Sequence, residues 1–272
     1  MLDMLRSEVF RLRRRAMPKV LLAALVMTVL AVMALTWGVA QSGQVDAAQR
    51  ADLLDSLTLR STPEAAFGFA GIFGALFGII LAASIAATEY GWGTIRALLP
   101  RGSSRGAYLV AKLTVLAAFA LAVVIVTIAT GFLASGVATL LEDLEGGMND
   151  GWVVDLLFGT GRAWLAMLPY MALAFMVANL TKSSAAGISI ATAVLFLEGQ
   201  ILMLVAAAGG ALERLPELFL SKNAEALLAV NTDGGQADLP GAWQAASVLA
   251  LYTVAFLAIT FWSFKHRDVT VG

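Results

Sequence analysis

The sequence predicts an all-α membrane protein of six transmembrane helices preceded by a basic amphipathic helix, and three observations carry that prediction. Six apolar runs, at about residues 20–40, 66–88, 108–134, 162–180, 184–208 and 243–264, each come near the roughly twenty residues that a helix needs to cross the hydrocarbon. Of the 272 residues 60% are hydrophobic and only 14% charged, and the charges are clustered instead of spread over a surface. The mean hydropathy is +0.83, the value of a chain solvated largely by lipid. Runs of this length must be helices, because every backbone polar group in hydrocarbon has to be satisfied within its own segment. Residues 1–272 therefore read as a single transmembrane domain.

The first segment, residues 1–19, spaces Leu2, Leu5, Val9, Leu12 and Ala16 three or four apart and fills much of the rest with Arg6, Arg11, Arg13, Arg14 and Arg15. This pattern fits a short helix on a leaflet surface with its basic side among anionic headgroups, or a charged tail that only sets topology. The run after Lys19 lacks a convincing cleavage site and reads as a permanent span. In the second span Gly74, Gly78, Ala82 and Ala86 recur every four residues, a smooth ridge for close helix packing within the bundle or against a second subunit. Residues 41–65 are expected to hold a short surface helix, and residues 141–161, acidic and Gly-rich, to be irregular. Residues 209–242 contain two apolar clusters, 212–220 and 224–230, too short to cross a bilayer. They fit either re-entrant helices or a cap outside the bundle.

Six spans bring the C-terminus back to the side of the N-terminus. Arg6, Arg11, Arg13, Arg14, Arg15, Lys19, Arg96, Arg101, Arg105, Lys112, Lys182, Lys265 and Arg267 then share one side, against Arg50, Arg60, Arg162, Arg214 and Lys222 on the other. This asymmetry puts both termini in the cytoplasm and residues 209–242 outside. Trp37, Trp164, Trp243 and Trp262 fall at expected span ends, as interfacial anchors do.

No enzyme constellation accompanies this layout. The chain has no Cys and a single His, His266, and lacks HExxH and the ATP-binding GxxxxGK[ST] loop. It is expected not to be an enzyme, and any ATP-driven activity would need a separate ATPase. The exception within the spans is Glu198, fourteen residues after Ser184 and so near mid-membrane at about 1.5 Å per residue. A carboxylate there must face protein, water or a partner. Glu198 with Gln200 would line a translocation path or a polar contact between helices, or Glu198 would serve packing alone. Asn179, Thr181 and Lys182 mark one end of the fourth span, and Pro169 is a candidate kink within it.

Between the second and third spans lies the most distinctive stretch, residues 89–112, reading EYGWGTIRALLPRGSSRGAYLVAK. Its glycines break the span before a short helical turn, whose apolar face of Ile95, Leu98 and Leu99 lies beside Arg96, as in a helix docked into a partner's cleft. The bland alternative is a loop that carries charge for topology.

Glu89, Gly93-Thr94, Arg96, Leu98-Leu99, Pro100, Ser104-Arg105 and Lys112, in that order, resemble the permease subunits of ABC type-2 exporters. The N-terminal basic helix, the six spans and the FKHRDV tail are similar to that family as well. The resemblance implies a permease of the bacterial cytoplasmic membrane, paired with a second permease copy as a homodimer or heterodimer and bound to a cytoplasmic ABC ATPase. ATP and Mg would be held by that partner, with no cofactor bound directly. It also implies a cytoplasmic coupling helix over residues 89–100, with Glu89, Tyr90, Gly93, Thr94, Arg96, Leu98, Leu99 and Arg105 as contacts to the ATPase. The expected partners are thus the ATPase, a second permease and the lipid bilayer, and no nucleic acid. Two rival expectations are a stand-alone secondary transporter in which Glu198 titrates, and a membrane scaffold or sensor that binds a partner through the same loop.

Overall fold

The computed structural model describes residues 2–91, 105–142, 147–148, 150–208, 215–231 and 239–266. They form ten α-helices and no strand: α1 (Leu2–Arg14), α2 (Ala16–Gln41), α3 (Ala47–Asp55), α4 (Thr62–Phe69), α5 (Ala75–Gly91), α6 (Arg105–Glu142), α7 (Trp152–Thr181), α8 (Ser184–Ala208), α9 (Leu220–Leu228) and α10 (Ala242–His266). A π turn, Ala70–Gly74, joins α4 to α5 in one continuous span, Thr62–Thr88. Six segments are long and apolar enough to cross a membrane: this one, Ala16–Gln41, Gly106–Glu142, Trp152–Thr181, Ser184–Val205 and Ala242–His266.

Two boundaries differ from the sequence expectation. The fourth span begins at Trp152, not near residue 162, so the second half of the segment expected to be irregular is helical. Gly151 adopts the left-handed φ of 87° just before it, and Asp155 lies in the first turn, where a carboxylate favours the positive end of a helix. In consequence Trp164 is not an interfacial anchor at a span end. It sits inside α7, and its Nε1 donates to the Ala117 carbonyl of α6 at 2.8 Å. The third span likewise continues past residue 134 to Glu142, whose carboxylate accepts from Trp37 Nε1 at 2.9 Å and from Gln41 Nε2, and lies 3.8 Å from Arg50 Nη2. This clasp joins the ends of α2 and α6.

Helix α7 is the hub. Of its most apolar stretch 72% is buried, against 17% for α2, 6% for α8 and 17% for α10, which form the rim. Apolar side chains gain nothing by leaving lipid for each other, so the hub is held by close contacts of small residues. A Cβ added at Gly74 would lie 2.7 Å from Val123 Cγ1 of α6, and one at Gly78 would lie 2.7 Å from Met171 Sδ of α7. Ala82 and Ala86 continue the ridge and are buried. Gly187 brings α8 against both α5 and α7, with Ala83 and Ala178 in contact range. Pro169 lies within α7 and is buried. Thr62 Oγ1 donates to Ser135 Oγ at 2.6 Å, tying the start of α4 to α6.

Replacing Gly78 with Leu is expected to cost about 1–3 kcal/mol by overpacking against Met171. Thermal unfolding in detergent reads this as a lowered Tm. Gly38→Ala in α2, where an added Cβ meets nothing within 4 Å, should leave Tm unchanged.

Candidate functional site

Helix α9 and the carboxylate of Glu198 define one polar site inside the bundle. Phe219 precedes α9 in extended conformation and offers no side-chain cap, so the first N–H groups of the helix lack an intrahelical partner and carry its positive partial charge. Glu198 takes them from α8: Oε1 accepts from Leu220 N at 2.7 Å and Oε2 from Ser221 N at 2.8 Å. Asn223 fixes the approach, its Nδ2 donating to the carbonyls of Glu217 at 2.8 Å and Phe219 at 2.7 Å. Both oxygens of the carboxylate are therefore used as acceptors, and buried Tyr170 of α7 is close enough to interact with it electrostatically. Gln200 does not join the site, because two residues along a helix is more than half a turn and its side chain is exposed.

The level of α9 follows from its two ends. Gly187 of α8 and Ala83 of α5 touch, and from that common level Glu198 is eleven residues along α8 while Gly71 is twelve residues back towards α4. At about 1.5 Å per residue these distances are about 16 and 18 Å. Leu228, at the other end of α9, occupies the space beside Gly71, where an added Cβ would lie 2.6 Å from Leu228 Cδ1. Helix α9 thus lies across the bundle, one end on α8 and the other on the π turn. Helix α8 runs ten residues beyond Glu198 to Ala208, about 15 Å further, while Gln244 at the start of α10 donates its Nε2 to Glu217 Oε2 at 3.3 Å just before α9. Leu220, Asn223, Ala224, Ala226 and Leu227 form the buried face of α9.

Beyond α9, towards the far ends of the spans, a cavity of about 520 Å³ opens between the α3–α4 turn and the start of α7. Asp55, Arg60, Glu64 and Asp155 supply its charge, Phe67 and Trp152 its aromatic wall, and Leu228 brings α9 to its floor.

The opposite end of the bundle holds a second charged contact. Lys112 of α6 is 4% exposed, and its Nζ lies 3.6 Å from Glu8 Oε2 of α1 and 4.9 Å from the centre of the Tyr108 ring. Tyr108 stacks on Phe264 near the end of α10, with ring centres 6.0 Å apart. Helix α1 is accordingly docked on α6 through Glu8, and Lys112 meets protein. Arg11 shares Glu8 at 3.3 Å, while Val9, Phe10, Arg6, Arg13 and Arg14 face outward. Of the residues expected to contact an ATPase, Glu89 and Tyr90 close α5 and Arg105 opens α6. Gly93, Thr94, Arg96, Leu98 and Leu99 lie outside the described residues.

Glu198 stood out in the sequence, but its partner did not. The available signal was the uncapped start of the 219–228 segment, whose N-terminal residue, Phe219, cannot accept a hydrogen bond through its side chain. Glu8 and Lys112 carried no local signal of their pairing, being 104 residues apart. Among the described residues no group of three or more His, Asp or Glu side chains is placed to share a metal ion.

Six spans, a transverse helix packed against them and a charged cavity beside it define a multi-pass helical membrane protein. The model of a family described as "Protein of unknown function (DUF2705)" matches residues 56–270, and the chain belongs to that family. The match takes in the spans from α4 to α10, together with Glu198 and α9. No curated protein matches the sequence.

Glu8→Ala is expected to destabilise the protein by about 1–3 kcal/mol, because it removes the carboxylate that faces the buried Lys112 ammonium. Adding Lys112→Met should recover most of the loss, giving a double-mutant coupling that chemical or thermal unfolding of the four proteins measures.

Proposed function

We propose that the chain is the membrane-spanning permease subunit of an ATP-driven ABC type-2 exporter, with N- and C-termini in the bacterial cytoplasm. The observation that carries the reading is the ordered set Glu89, Gly93-Thr94, Arg96, Leu98-Leu99, Pro100, Ser104-Arg105 and Lys112 between the second and third spans. The positive-inside asymmetry supports the orientation, and the missing ATP-binding loop supports a separate motor. In this reading a cytoplasmic ABC ATPase holds ATP and Mg and performs the hydrolysis, while the permease pairs with a second copy and does no bond-breaking itself.

Force from the motor would be carried by the helices that flank the motif. Helix α5 ends at Gly91 and α6 begins at Arg105, so a force on the connecting residues bears on two spans at once. Both pack on the hub α7, α5 through Gly78 and α6 through Trp164. A change in tilt of α5 and α6 would open the path on one face while closing it on the other, which is the rigid-body form of alternating access. The pairing of Glu8 with Lys112 makes α1 part of the moving unit. Glu198 fits this reading better than that of a stand-alone ion-coupled transporter, since both its oxygens are engaged by backbone amides of α9.

Substituting Arg96 and Leu98 with Glu tests the proposal. Substrate-stimulated ATP hydrolysis by the partner should fall to its basal rate, while the chain still inserts in the membrane at normal levels. Hydrolysis that remains fully coupled would contradict it.

A further inference from the structure

We infer that the crevice between the first two spans is a lipid site: one acyl chain of a membrane phospholipid enters it sideways from the leaflet at the C-terminal end of α2. The first span lines it with Val29, Val32, Met33 and Thr36, and the second with Thr62, Ala65, Ala66 and Phe69, each set spaced so that it forms one helix face. Both helices pack on α6, whose Thr127 and Gly131 form the floor. Between them remains a cavity of about 140 Å³, roofed by Ser56 and Leu57 after α3.

Two tethers hold the crevice at this width. Trp37 and Gln41 of α2 donate to Glu142 at the end of α6, and Thr62 of α4 donates to Ser135 of α6, so each wall is fixed to the floor. The small side chains of Ala65 and Ala66, and the bare Gly131, then leave the space unfilled. Atoms that line an empty space forfeit dispersion contacts, which an acyl chain from the surrounding bilayer restores.

The lining selects a hydrocarbon occupant. No charged side chain lines the cavity, and its hydroxyls are already spent as donors. Thr36 Oγ1 donates to the Val32 carbonyl at 3.0 Å, Thr127 Oγ1 to that of Val123 at 2.9 Å, Ser56 Oγ to that of Leu53 at 2.6 Å, and Thr62 Oγ1 to Ser135 Oγ at 2.6 Å. A bound water needs two to four polar partners, whereas an apolar cavity of about 150 Å³ stays dry and accepts small hydrocarbons. Depth selects the chain over the headgroup. Taking the polar clasp on Glu142 as the interface, the cavity runs from Thr36, about 8 Å below Gln41, to Val29, about 18 Å below it. That range lies in hydrocarbon and reaches its midplane, about 15 Å deep. The mouth faces lipid, since Ala65 on its edge is exposed.

The test needs neither motor nor ATP, so it stands apart from the exporter reading. The full chain is reconstituted in phosphatidylcholine vesicles that carry some phosphatidylcholine with a diazirine midway along one chain; after illumination, adducts are mapped by mass spectrometry. Adducts at Val32, Met33 and Phe69 should outnumber several-fold those at Leu35 and Leu133, which are 67% and 73% exposed to the same lipid. Ala65→Phe fills the crevice from its mouth and should reduce the adducts at Val32 and Phe69 to the level of Leu35. Met33→Trp should do the same from the opposite wall, and an unchanged Tm with unchanged adducts at Leu133 reports an intact fold in either variant. Crevice adducts no more frequent than those at Leu35 and Leu133 in the unaltered chain would overturn the inference. So would crevice adducts that persist at full level in the folded variants.

Discussion

A helix that starts against the spans of a membrane protein has N–H groups without an intrahelical partner, and leaving them unpaired is costly. That constraint fixes much of what is specific in this chain. Phe219 cannot cap α9, so an acceptor must come from elsewhere, and Glu198 brings two oxygens from the middle of α8. The same contact offsets part of the cost of burying the carboxylate itself, because backbone donors and a helix dipole face it. Two features that would each be unfavourable, a capless helix start and an intramembrane acid, become one stable junction. Asn223 then holds the turn before the helix, and the level of α9 follows.

Around that junction the bundle is assembled by small residues. Gly74, Gly78 and Gly187 let α5, α6, α7 and α8 approach until side chains of one touch the backbone of another. Such contacts are steep in distance, so the hub moves as a body or not at all. Helices α2, α8 and α10 form the rim and keep most of their apolar surface outward. The charged contacts lie at three levels: Glu8 with Lys112 at one end, Glu198 with α9 inside, and Glu142 with Trp37, Gln41 and Arg50 at the other end. The first and the last join helices about a hundred residues apart in sequence.

The spans were legible because hydrophobic length is a strong signal and twenty apolar residues have few alternatives. The start of the fourth was not, since Gly159 and Gly161 read as breakers although glycines pack helices in lipid: a Cβ at Gly159 would strike Phe67. The interfacial reading of Trp164 failed with it, as a Trp serves equally well as a buried donor. Glu198 was conspicuous as an acid among apolar residues, yet sequence alone left its role open between a path and a packing contact. Its partner is a backbone, and backbone donors carry no letter in a sequence. The short clusters at 212–220 and 224–230 left re-entry and external capping open for the same reason: length excludes a span but does not set depth. The pairing of Glu8 with Lys112 was invisible because a basic terminal helix reads the same whether it lies on lipid or on protein.

The permease proposed for this chain should be inert without its motor. The decisive measurement is transport in proteoliposomes made from the purified chain alone and from the chain with its ATPase, each with ATP and each with an imposed ion gradient. The account predicts flux only when the ATPase and ATP are both present, with none from the chain alone under any gradient. Flux from the chain alone, driven by an ion gradient and abolished in Glu198→Gln, would contradict it and make Glu198 a coupling site.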